Sequence, residues 1–235
     1  SHNADGKVIP ASNTKLITTL AALEQLGSGH AFETKVLKKG DDLVIMGSGD
    51  PYLVSERLYL LARDVARSGI KKVNSVQVNN SAFLENYRGL IDWDNSGEPF
   101  TAVVSATSLN FNSVEIHVRP GGEGGKAKVE LGPVPHGYAE IKNEVALVAG
   151  SKKSLTVRPV RVNGNKEVFS ITGSIGRDAA PAIVYATASL PESYLAHSFA
   201  ALLRKEGITV AQDFGGAVSN PPGDPGLHPN AHGID

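Results

Sequence analysis

Ser12 and Lys15 stand in Pro10-Ala11-Ser12-Asn13-Thr14-Lys15-Leu16-Ile17, at the head of an apolar-periodic segment. Residues three apart on a helix lie one above the other on a single face. A serine hydroxyl becomes a nucleophile when a base takes its proton, and a lysine serves as that base if desolvation or neighbouring charge lowers its pKa. A helix N-terminus adds positive potential at the same place, favouring a developing oxyanion and disfavouring a charged amine. The tetrapeptide also has an ordinary explanation, because serine at a helix start commonly caps it. Spacing alone leaves nucleophile and cap both open.

The elements that must position this pair can be read from periodicity. Leu16, Ile17, Leu20, Leu23 and Leu26 recur on one helical face, so a helix is expected from about residue 12 to 26, with Gly27 as a left-handed terminator. Phe32 to Leu37 and Leu43 to Met46 flank the turn residues Lys38-Lys39-Gly40-Asp41-Asp42, predicting a hairpin. Gly47-Ser48-Gly49-Asp50-Pro51 lacks the Gly-Lys-Ser/Thr ending of a phosphate loop and reads as a structural turn. Leu58, Leu61, Ala62 and Val65 predict a helix over about 54–68 ended by Gly69, and Lys72 to Val78 is strand-like, giving a small α/β layer.

From Phe100 to Ile175 alternating segments dominate: Ser113 to Val118, Ala127 to Leu131, Ala139 to Leu147, Ser154 to Val162 and Glu167 to Ile171. Turn clusters separate them, Asn163-Gly164 being a hairpin signal, and the region is expected to be mainly antiparallel β. Pro191 through Glu206 reads as a helix with proline in its first turn and Gly207 as its stop. Gly216 to Asp235 carries Pro221, Pro222, Pro225 and Pro229 among glycines and reads as irregular tail or linker.

Composition bounds the partners. The 235 residues are 41% hydrophobic and 20% charged, which describes a folded chain. A net charge of -1 without a basic run argues against nucleic acid as partner. Cysteine is absent, excluding disulfides, thiolate metal sites and cysteine nucleophiles, and suiting an oxidising envelope compartment. No apolar run or leader is read as spanning a membrane or as a retained signal peptide.

The remaining clusters have ordinary readings. Asp92, Trp93, Asp94 and Glu98 could meet a cationic ligand group or form a solvated loop around one buried ring. His228 and His232 have helical metal-ligand spacing, but Pro229 between them breaks such a helix, so no metal or other cofactor is expected. Asn79-Asn80-Ser81 fits a glycosylation sequon, meaningful only in a eukaryotic secretory source.

The order of these features resembles one family. Asn3-Ala4-Asp5-Gly6-Lys7-Val8-Ile9-Pro10-Ala11-Ser12-Asn13-Thr14-Lys15-Leu16-Ile17-Thr18-Thr19-Leu20 is similar to the active-site segment of class C low-molecular-mass penicillin-binding proteins, the DacB-like D-alanyl-D-alanine carboxypeptidase/endopeptidases. The likeness continues through Phe32-Glu33-Thr34, Gly47-Ser48-Gly49-Asp50-Pro51, Gly69-Ile70, Ser108-Leu109-Asn110-Phe111-Asn112, Ile171-Thr172-Gly173 and Gly207-Ile208-Thr209-Val210, about residues 3 to 212.

The resemblance implies an α+β fold: a piece of a penicillin-binding/β-lactamase-like serine transferase domain, residues 1–30, followed by a large β-rich α/β accessory insertion, residues 31–215, and a tail, 216–235. It implies Ser12 as nucleophile toward peptidoglycan stem peptides and β-lactams, Lys15 as proton acceptor, and Asp94, with Asp92 as the near alternative, facing the diaminopimelic side chain. It implies a periplasmic or other extracytoplasmic location, with peripheral membrane association and oligomeric state left open.

The chain also departs from that family. The family completes its site with Ser-x-Asn and Lys-Thr-Gly after the insertion; this chain has no Lys-Thr-Gly, and its literal Ser108-Leu109-Asn110 sits within the insertion. The chain is therefore expected to be incomplete and inactive alone. The alternative is a catalytically silent envelope binding or scaffold protein built from the insertion.

Overall fold

The computed structural model describes residues 6–7, 9–83 and 102–218. The chain divides into two units, residues 1–32 and 33–235.

In the first unit a 3-10 turn, Ala11–Asn13, runs into helix α1, Thr14–Leu26. The predicted helix is present. Its terminator differs in detail: Gly27 has φ 79° and ψ 161°, a positive φ but not the left-handed helical conformation. Its N–H still closes the last turn on the Leu23 carbonyl at 3.0 Å. The apolar stripe is exposed, Leu16 by 73% and Leu20 by 58%.

The second unit opens with the predicted hairpin, β1 (Thr34–Lys39) and β2 (Asp42–Gly47), paired antiparallel with Val36 opposite Ile45. Helix α2 (Ser55–Arg67) then crosses to β3 (Lys72–Asn79), which lies parallel to β2. Leu58, Ala62 and Val65 form the buried face of α2, as their spacing predicts. Helix α3, Pro191–Lys205, starts on its proline and is followed by Gly207 at φ 83°. It packs on β3 and α2. Two short strands unseen in the sequence, β10 (Thr209–Gln212) and β11 (Ala217–Val218), both pair parallel with β3. Ala217 and Val218 are therefore sheet, where composition reads the beginning of an irregular tail. The sheet order is β1-β2-β3-β10.

Two three-stranded sheets complete the unit. One has β4 (Ser113–Arg119) between β5 (Lys128–Gly132) and β9 (Ala182–Thr187), all antiparallel; β9 has no counterpart in the sequence reading. The other has β8 (Lys166–Gly176) between β6 (Ala139–Val148) and β7 (Lys153–Asn163). Here the antiparallel expectation holds only in part. The β7–β8 hairpin forms around Gly164 at φ 62°, but β6 pairs parallel with β8. Burial gives the reason. Val168, Phe169, Ile171 and Ile175 make β8 the most buried of the three, so it takes the centre, while β6 and β7 each bury little and take the edges. Gly173 marks the closest strand approach: at φ 111° a Cβ there would lie 2.0 Å from the Ser154 carbonyl oxygen.

The sequon has no accessible acceptor: Asn79 is only 4% exposed, and its Oδ1 accepts from the Ser81 N–H and hydroxyl. No helix among the described residues is long and apolar enough to cross a membrane, and no group of three potential metal ligands occurs among them.

Candidate functional site

The 3-10 turn and the first turn of α1 bring Ser12 and Lys15 together: Lys15 Nζ donates to Ser12 Oγ at 2.9 Å. Both side chains are exposed. The capping explanation does not describe this serine. Asn13 is the cap residue of α1 and makes no side-chain cap bond, whereas the Ser12 hydroxyl is engaged by the lysine. The turn is tight, with Asn13 N–H bonded to the Pro10 carbonyl at 3.0 Å and Ala11 at φ 46°. A hydroxyl and an amine at this separation can exchange a proton directly. The pair also sits at the positive end of the α1 dipole, where developing negative charge is stabilised.

The other sequence candidates fall into two groups. Asp94, with Asp92 and Trp93, and the histidines at 228 and 232 lie outside the described residues. Ser108-Leu109-Asn110 is a packing motif. Asn110 accepts from the Ser55 N–H at 2.9 Å, supplying a partner to the start of α2, and donates to Ser55 Oγ at 2.8 Å and the Tyr194 hydroxyl at 3.2 Å. Ser108 Oγ donates to the Ser105 carbonyl and accepts from Asn112.

Sequence reading misses a buried polar cluster in the second unit. Tyr138 and Glu167, at the head of β6 and in β8, meet Tyr194 and His197 on α3, with His136 beside them. Glu167 accepts from Tyr138, from the Ser189 N–H and from the Ser189 hydroxyl. Burial, then the Glu167 charge, pushes the Tyr138 phenol far above its ordinary range; burial pushes Tyr194 up to about 12. The one available signal was the placement of Tyr194 and His197 among the apolar residues of α3.

Comparison relates this mixed α/β chain to known proteins. Penicillin binding protein 4 (dacB) from Haemophilus influenzae superposes with a TM-score of 0.65 at 22% identity, covering 90% of this chain and 48% of that one. The same protein in complex with a novel β-lactam superposes at 0.60, with 20% identity, over 91% and 47%. At such identity the likeness establishes fold. The model of the D-Ala-D-Ala carboxypeptidase 3 (S13) family matches residues 1–225, and the chain belongs to that family.

A D-alanyl-D-alanine carboxypeptidase from Actinomadura sp. (strain R39) is 36% identical over 233 residues, 92% of this chain and 42% of the relative. The D-alanyl-D-alanine carboxypeptidase DacB of H. influenzae is 29% identical over 121 residues, 47% of this chain and 25% of the relative. The chain thus spans less than half the length of these relatives. The resemblance read from the sequence is borne out.

Proposed function

We propose that this chain carries the nucleophile and base of a serine-type D-Ala-D-Ala carboxypeptidase/endopeptidase that acts on peptidoglycan stem peptides outside the cytoplasm and is acylated by β-lactams. The 2.9 Å contact between Lys15 Nζ and Ser12 Oγ carries this reading. Residues 1–30 are its catalytic piece, and the accessory insertion runs from residue 31 through β11.

In the reaction, the Lys15 amine is the acceptor of the Ser12 hydroxyl proton as Oγ bonds to the carbonyl carbon of the penultimate D-alanine. Collapse of the tetrahedral intermediate breaks the peptide bond, and the proton leaves on the departing amine. Water then adds to the ester, giving the shortened peptide and restoring the serine. The positive end of α1, with the Ser12 N–H as a donor, stabilises the oxyanion. Asp94 approaches the ammonium end of the diaminopimelic side chain in this scheme.

Incubating the protein of the full reading frame with benzylpenicillin tests the proposal: a penicilloyl mass on the peptide containing Ser12 is expected, and residues 1–235 alone label little. An unchanged mass in the folded full-length protein would favour the silent scaffold reading instead.

A further inference from the structure

The segment between β5 and β6 brings His136 against α3. Its imidazole lies edge-on to Tyr194, ring centroids 5.3 Å apart, and 6.2 Å from Tyr138. Both ring nitrogens are buried, and among the described residues neither has a hydrogen-bond partner. Among the described residues a neutral imidazole leaves one N–H there without an acceptor, whereas an imidazolium leaves two and adds a charge in a desolvated place.

The titratable and charged groups packed around it are engaged with other partners, and the Glu115 carboxylate of β4 acts on Tyr194. From the residue preceding β6 comes the Tyr138 phenol, already committed to Glu167 of β8 at 2.7 Å. From α3 come the Tyr194 hydroxyl, bonded to the Ser113 carbonyl, and His197, whose Nδ1 meets the Ser193 carbonyl at 2.8 Å. His197 opposes a positive charge on His136. Around His197, Asp213 favours protonation while Lys166 and Arg204 oppose it, and Arg204 is itself paired with Asp213.

We propose that His136 is an acid-sensitive latch: neutral, it seats the segment 133–138 and the head of β6 against α3, and its protonation releases that segment while the β1–β3 layer stays folded. Desolvation, then the His197 charge, lowers the pKa of His136 from 6.5 to about 4. The released form takes up a proton at the ordinary value, so the closed form is favoured fully above pH 6.5 and loses that advantage as pH falls toward 4. At pH 4 the opening equilibrium is expected to be about a hundredfold larger than at neutral pH.

Amide hydrogen exchange on the protein, expressed as protection factors at pH 7 and pH 4, reads this directly. Protection of residues 134–139 is expected to fall by about a hundredfold, with β1–β3 changing little. The imidazole NMR signal of His136 is expected to titrate near pH 4. His136→Phe, which keeps the ring contacts, and His136→Gln, which keeps a neutral polar group, should each abolish the local pH dependence. A His136 midpoint near 6.5, uniform loss of protection through β1–β3, or local loss that persists in both variants would overturn the proposal.

Discussion

Tyr138 donates its phenol to Glu167 at 2.7 Å, and neither side chain reaches solvent. The same phenol oxygen accepts the Leu190 N–H at 3.2 Å, so one hydroxyl ties β6, β8 and the approach to α3 together. Tyr138→Phe removes both bonds while keeping the ring. It should cost about 1–3 kcal/mol, because a buried carboxyl loses one donor and a backbone N–H its acceptor. Urea denaturation would show a lower midpoint with an unchanged slope; an unaltered midpoint would show the network to be dispensable.

Lys15→Met tests the catalytic role of the amine. Lys15 and Ser12 are exposed, so the variant should melt within a degree or two of the parent. Acylation of Ser12 by benzylpenicillin in the full-length protein should slow by about 10²–10⁴-fold, the usual contribution of a positioned base. Acylation at the parental rate would assign the proton acceptor elsewhere.

Asn110 separates packing from catalysis. At φ 47° it occupies a conformation that asparagine tolerates better than alanine, and its amide supports the start of α2. Asn110→Ala should destabilise by about 1–2 kcal/mol yet leave the acylation rate of the folded full-length protein unchanged. A rate loss at unchanged stability would make the Ser108-Leu109-Asn110 sequence catalytic after all.

Asp42 sets an acid dependence in the first sheet. Its carboxylate accepts from Ser75 Oγ at 2.7 Å, from Asn74 at 3.1 Å and from Gln77 at 3.1 Å. The Ser75 hydroxyl is the chief cause of a pKa held below the ordinary carboxylate value, with Asn74 adding to it. A lowered folded pKa means that the stabilisation is fully present above about pH 4 and fades as pH falls through the folded value. Asp42→Ala should therefore destabilise by no more than about 1 kcal/mol at pH 6, given its partial exposure, and by progressively less below pH 4. Urea midpoints at pH 6 and pH 3 check this; a penalty that does not shrink in acid would refute the ionic account.

Local chemistry was enough to define α1, the β1–β2 hairpin, α2, β3 and α3, because each carries its own period and most are bounded by a glycine or proline. It was also enough to single out Ser12 and Lys15, whose separation depends only on one turn of helix. Residues distant in sequence decided the rest. β9, β10 and β11 are short strands whose pairing is supplied by β4 and β3, and no pattern within them could announce it. The parallel pairing of β6 with β8 follows from competition for the buried central place, a comparison among three strands. Likewise, the burial of Asn79, the structural work of Asn110 and the isolation of His136 depend on what packs against them. The sequence by itself determined which residues could do the chemistry; only tertiary structure decided which polar groups are spent on holding the fold, because burial and partners are properties of the assembled neighbourhood.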